Sequence, residues 1–147
     1  SYCLMPNHFH LMLRQNSSDL TISNLMKRLS ITYAMYFNKR HHHSGAIFQG
    51  KYKNVLIESE GQWLYLSKYI HRNPTHLQRT DHSNLSKYLY SSYPNYLGNK
   101  IDRWLDTSII LNRHDRDPIG KYQRFVEDGS DVGNIEKLTL DVDELQY

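Results

Sequence analysis

The stretch Leu4-Met5-Pro6-Asn7-His8-Phe9-His10-Leu11-Met12-Leu13 decides how the rest of the chain is read. Two short apolar runs, Tyr2–Met5 and His8–Arg14, are broken by Pro6-Asn7, a pair suited to a tight turn, so two strands joined by that turn are expected. Alternation along a strand then sends His8 and His10 to one face and Phe9 to the other. Two imidazoles side by side can grip a divalent metal. Alone, the same pattern also describes two half-exposed strand histidines.

Downstream, Ser17, Ser18 and Asp19 offer helix caps, and Leu20, Ile22, Leu25, Met26, Leu29, Tyr33, Tyr36 and Phe37 recur at near-helical spacing. A long amphipathic helix over roughly residues 19–38 follows, with Lys27, Arg28 and Lys39 on its polar face. A loop from Asn38 to Gly50 carries His41-His42-His43, read as a polar turn. A third strand is expected at about Tyr52 to Glu58.

Glu60 to Asn73 reads as a second helix, stopped by Pro74, because proline disfavours helical geometry in the residue before it. Glu58 and Glu60 sit at its start, where negative charge favours a helix N-terminus. Tyr69 and Asn73 lie four residues apart on it and share a face. The Asn73 amide oxygen can complete a metal shell with His8 and His10, leaving Tyr69 near the metal. A phenol is a poor nucleophile until it is deprotonated and its phosphorus target is made electrophilic. Tyr65, one turn earlier, is an equal candidate on spacing alone, and His71 should point away from the metal face. Shorter helical pieces are expected around Leu85–Leu89, Ile101–Leu111 and Gly120–Asp128, with a loosely docked tail from Gly129.

Bulk properties bound the function. The 147 residues, 39% hydrophobic and 22% charged, suit one globular domain. No apolar run is long enough to cross a bilayer, and residues 1–14 do not resemble a signal peptide. The single cysteine, Cys3, cannot form an internal disulfide, which fits a reducing cytoplasm; it reads as a small apolar strand residue. Residues 1–114 hold 14 Lys/Arg against 6 Asp/Glu, while residues 115–147 hold 4 against 9, so the first part is the face expected for a polyanion. The 12 tyrosines, several among basic residues, suit unstacked bases. A glycine-rich phosphate loop, a Ser-His-Asp signature and Cys-x-x-Cys zinc spacing are absent.

The opening stretch closely resembles the metal-binding strand pair of the HUH single-tyrosine transposases, particularly the REP-associated tyrosine transposases and their insertion-sequence relatives. Ser44-Gly45-Ala46-Ile47-Phe48-Gln49-Gly50-Lys51-Tyr52-Lys53 is similar to that family's segment leading into its last strand, and Tyr69-Ile70-His71-Arg72-Asn73-Pro74 to its tyrosine helix. Tyr90-Ser91-Ser92-Tyr93 and Tyr122–Gly129 are similar to C-terminal segments of the REP-associated branch. The resemblance implies His8, His10 and Asn73 as ligands of a divalent metal, magnesium or manganese, and Tyr69 as nucleophile. It implies a transposase-like strand transferase that nicks and rejoins single-stranded or hairpin DNA through a 5′-phosphotyrosine intermediate, in a bacterial, nucleoid-associated setting. Lys27, Arg28, Lys51, Lys53 and Arg72 are the expected phosphate contacts.

The implied fold is α+β: a ferredoxin-like antiparallel sheet with helices on one face, residues 1–78 forming the core and 79–147 a helical extension of the same domain. In that family a strand and a helix precede the His-x-His strand, so about forty residues of the usual N-terminal part are expected to be missing. A sheet short of a neighbour offers an edge, which favours a homodimer or strand exchange. The rival expectation is a non-catalytic, transposase-derived nucleic-acid-binding protein; a third is a metal hydrolase that uses water in place of Tyr69.

Overall fold

The computed structural model describes residues 1–77, 82–113 and 116–129. The chain divides into two compact units, one of Ser1–Met12 with Leu56–Tyr147 and the other of Leu13–Val55.

In the first unit, β1 (Tyr2–Leu4) and β2 (Phe9–Leu11) pair antiparallel, with Tyr2 opposite Leu11, Cys3 opposite His10 and Leu4 opposite Phe9. The hairpin closes where the Met5 N–H donates to the His8 carbonyl at 2.8 Å, enclosing Pro6 and Asn7 as the turn chemistry requires. The other edge of β1 is also engaged. Leu4 N donates to Tyr90 O at 2.8 Å and Ser92 N to Tyr2 O at 2.9 Å, making a bridge at Cys3 and Ser91. Eighty-odd residues of intervening chain therefore end in a strand-like contact.

Helix α2 (Glu60–Arg72) begins with a capping box. The Ser59 hydroxyl accepts from Gln62 N at 3.3 Å, and the Gln62 amide oxygen accepts from Ser59 N at 3.1 Å, satisfying two end donors at once. Ser59→Ala should destabilise the protein by about 1 kcal/mol. Chemical denaturation measures this, and an unshifted midpoint would show that the cap is dispensable. Pro74 ends the α-helix as expected, and the chain continues as a 3-10 turn over Asn73–His76.

β1 and α2 bury Tyr2, Cys3 and Ile70, and a further buried cluster of this unit comes from residues beyond them. Leu85, Tyr93, Tyr96, Ile110, Tyr122 and Val126 are fully buried together, with Trp63 and Leu64 of α2 and Met12 packed against them. These residues come from short elements in which tyrosine and aliphatic side chains interleave: a 3-10 helix (His82–Lys87), α3 (Tyr93–Tyr96), α4 (Ser108–Leu111) and α5 (Pro118–Glu127). The first of these replaces the helix expected at 85–89. Only the last four residues of the expected 101–111 helix are helical. Helix α5 starts at Asp117, whose carboxylate accepts from Gly120 N at 3.0 Å. A Cβ at position 120 would crowd that carboxylate, so a larger residue there would oblige the Asp117 side chain to shift. The tail expected from Gly129 lies outside the described residues, apart from Gly129 itself.

Cys3 is fully buried, and burial pushes its thiol up to about 12. Thiol-disulfide reagents act on the thiolate. Native protein at pH 8 should therefore react at least about 100-fold more slowly than guanidinium-unfolded protein; equal rates would contradict this placement of β1.

In the second unit, α1 (Ile22–His41) is capped by Thr21, whose hydroxyl accepts from Asn24 N at 3.2 Å. The cap expected at 17–19 is displaced because Ser17 accepts from Asp19 N locally, at 3.1 Å. The helix runs through His41, so the histidine triplet straddles its end rather than lying in a loop. His42 takes the left-handed conformation (φ 49°) that commonly closes helices, and Lys39, Arg40 and His41 complement the dipole there. Tyr33 packs on Phe37 and Phe48, and Phe37 on His41 and His43. Only Met26 of this helix is fully buried.

The strand expected at about Tyr52 to Glu58 is not formed: residues 51–58 have no regular structure. A strand needs a ladder partner, and β-rich composition alone does not supply one. Tyr52 is held instead through its hydroxyl, 3.0 Å from that of Ser23 on α1. The molecule is thus mixed helix and strand as expected, but among the described residues its sheet has two strands.

Candidate active site

His10 lies in β2 opposite Cys3, and His8 immediately precedes that strand. Strand alternation brings the two rings to one face, centroids 5.0 Å apart and edge to face. His8 is exposed and His10 half-buried. The turn residue Asn7 adds a detail that spacing did not reveal: its amide oxygen is 2.7 Å from His8 Nδ1. A carbonyl oxygen only accepts, so Nδ1 carries the proton and Nε2 keeps its lone pair. Metal-binding histidines are generally oriented by such a partner.

Across from the strands, the Tyr69 ring stands edge-on to His10, centroids 5.4 Å apart. Three rings therefore run in series, His8, His10 and Tyr69. Asn73 caps α2, buried to 4% exposure, with its amide nitrogen donating to the Tyr69 carbonyl at 3.0 Å. The other end of that amide is an oxygen, the end able to ligate a cation. Among the described residues no three His, Cys, Asp or Glu side chains group as metal donors. Tyr65, equal to Tyr69 on spacing, is sent elsewhere: its ring meets Phe125 of α5 at 5.5 Å.

The basic residues divide. Lys27, Arg28, Lys51 and Lys53 belong to the Leu13–Val55 unit. Lys27 and Lys51 line an open cleft there of about 340 Å³, with Ser23, Met26, Ser30 and Asn54. Arg72 is half-buried and donates through Nη1 to the carbonyls of Val126 and Glu127, at 2.8 and 3.4 Å. It caps the end of α5, where carbonyls lack helical partners. Lys68, fully buried, holds its ammonium 4.6 Å from the Phe125 ring.

Residues 1–73 match the model of the family described as "Transposase IS200 like". Residues 1–73 belong to the IS200-like transposase family. The matched segment covers 73 of the 147 residues, just under half of the chain, contains the strand pair and α2, and ends on Asn73. No curated protein and no solved structure matches. Among the described residues no helix is long and apolar enough to cross a membrane.

Behind α2, on the side away from Tyr69, lies a buried polar group whose partners were not evident from spacing. His71 turns away from Tyr69, as its position two residues on implies, and is fully buried. Its ring nitrogens lie 2.7 Å from the Tyr122 hydroxyl and 2.7 Å from the Ser92 hydroxyl. Burial holds the His71 imidazole well below its ordinary pKa and the Tyr122 phenol well above its own, so both stay neutral. Ser92 and Tyr122 lie in the two C-terminal stretches that carry the resemblance, but nothing in those stretches pairs them with His71; only tertiary contact reveals that.

Proposed function

We propose that this IS200-like chain nicks and rejoins single-stranded DNA, with Tyr69 as nucleophile and a divalent ion held by His8, His10 and Asn73. The observation that carries this reading is the His8–His10–Tyr69 ring series within the family segment. Magnesium or manganese, when bound, supplies Lewis-acid polarisation of the scissile phosphate. The protein does the rest. The Tyr69 oxygen gives up its proton and forms a bond to phosphorus while the bond to the 3′ oxygen breaks, leaving a 5′-phosphotyrosine and a 3′-hydroxyl. Attack by a 3′-hydroxyl on that linkage restores a phosphodiester and returns the proton to Tyr69. The phosphoester is conserved throughout, so no nucleotide cofactor is needed.

The substrate in this reading is a single strand or hairpin met in the bacterial cytoplasm, with Lys27, Arg28, Lys51 and Lys53 as phosphate contacts and Arg72 contributing only if it leaves α5. A ferredoxin-like sheet would require further strands beside β2, and a homodimer or strand exchange is the arrangement we favour for supplying them.

The test is cleavage of labelled single-stranded hairpins with manganese or with chelator. A nick, a rejoined strand and a covalent species that all vanish on chelation are expected. Tight binding with no cleavage across a broad hairpin library would instead establish a transposase-derived binding protein. Metal-dependent cleavage that survives Tyr69→Phe would establish a hydrolase using water.

A further inference from the structure

We propose that a directional chain of hydrogen bonds through His71 sets the rotation of α2 and thereby holds Tyr69 against His10, making His71, Ser92 and Tyr122 positioning residues. Its functional weight rests on Tyr69 being the nucleophile. Its geometry does not.

The chain starts on the backbone of β1, where Tyr2 N donates to Ser92 Oγ at 2.8 Å. Ser92 Oγ is 2.7 Å from His71 Nε2, and His71 Nδ1 is 2.7 Å from Tyr122 Oη. Tyr122 donates to Ser67 Oγ at 3.0 Å, and Ser67 to the Leu64 carbonyl at 2.7 Å. A hydroxyl has one proton to give. With Tyr122 donating to Ser67, His71 must donate from Nδ1, and Nε2 must accept from Ser92, whose one proton then goes to the 2.7 Å contact with His71 in place of the longer 3.2 Å contact with the Tyr2 carbonyl. One tautomer satisfies every link, and every link runs the same way, from β1 to α2.

Placement gives the chain its consequence. Ser67 and His71 are four residues apart and share a face of α2. Tyr69, midway between them in sequence, lies on the opposite side of the helix. The chain therefore grips one side of α2 while the other side presents the phenol. Its far end is β1, whose Cys3 is in register with His10. Both members of the Tyr69–His10 pair are thus tied to the same set of bonds. Ser67, His71, Ser92 and Tyr122 are all fully buried, and Tyr93 and Tyr96 pack on the His71 ring at 5.3 and 4.8 Å. A buried polar network that is fully satisfied is rigid, and one with a missing member is strongly disfavoured. Two of the members, Ser92 and Tyr122, lie outside the family segment, so the unmatched half of the chain governs a residue in the matched half.

Tyr122→Phe and Ser92→Ala, made in the full chain, each delete one hydroxyl and keep the packing. Two readouts apply to each: the Tyr69–His10 ring contact by nuclear Overhauser effect, and the single-turnover rate of covalent DNA adduct formation at saturating DNA. A displacement near 1 Å at a reacting centre costs roughly 100-fold. We expect both variants to lose the ring contact and to slow adduct formation by about 10- to 100-fold, with DNA affinity within about twofold of the parent. Ring contact and rate both unchanged in folded variants would overturn the proposal while leaving the transposase reading intact. Absence of any adduct in the parent protein would overturn the transposase reading, and loss of the ring contact in the variants would still uphold the positioning of Tyr69.

Discussion

Tyr69→Phe should abolish the covalent protein–DNA species and reduce strand cleavage by a factor on the order of 10⁴ or more, the scale on which removing an enzyme nucleophile acts. The substitution is mild structurally. Tyr69 is half-buried, and its aromatic ring, which stands edge-on to His10, is kept. What goes is one oxygen, the atom that forms the bond to phosphorus in the proposed reaction. Fold stability should change by about 1 kcal/mol or less, the usual net worth of one hydrogen bond. DNA binding should be little altered, because the proposed phosphate contacts are lysine and arginine side chains and stacking uses the ring faces, which the substitution keeps. Tyr65→Phe is the matched control: its ring packs on Phe125, away from the histidines, and cleavage should be unchanged. A denaturing gel of labelled hairpin with the three proteins reads both outcomes.

His8→Ala should lower affinity for manganese by at least about 100-fold and remove metal-dependent cleavage, as calorimetric titration and the same gel would show. Loss of an orienting partner of a metal-binding histidine already costs about 10- to 100-fold, and loss of the ligand itself should cost more. Asn7→Ala tests the partner separately. Its amide oxygen fixes the His8 tautomer at 2.7 Å, so this variant should fall between parent and His8→Ala. His8 is exposed, and its removal should shift stability by no more than about 0.5 kcal/mol. Unaltered manganese affinity in His8→Ala would remove this histidine from the metal site.

The parts of this molecule that were legible in sequence are those encoded by short-range geometry. Alternation in His8-Phe9-His10 placed both imidazoles on one face, and the rings do lie side by side. Pro74 announced the end of α2. Spacing alone left Tyr65 and Tyr69 equivalent, because both lie on α2; what separates them is that Phe125 meets one and His10 the other. Residues 52–58 looked like a strand locally, yet no ladder forms, since pairing is a property of two segments. The converse failure is Ser91, which lacks strand character and still bridges Cys3. The pairing of Ser92 and Tyr122 with His71 was hidden for the same reason: the partners lie 21 and 51 residues apart in sequence.

The most direct measurement is mass spectrometry of the adduct after nuclease trimming and trypsin digestion. Cleavage after Lys68 and Arg72 releases Tyr69-Ile70-His71-Arg72, a tetrapeptide with one tyrosine, whereas Tyr65 falls on the preceding fragment, residues 54–68. We predict a nucleotide-bearing Tyr69–Arg72 peptide, formed with manganese and absent with chelator. A nucleotide on the 54–68 fragment or any other peptide, or efficient metal-dependent cleavage with the Tyr69–Arg72 peptide always unmodified, would contradict the assignment of Tyr69 as nucleophile.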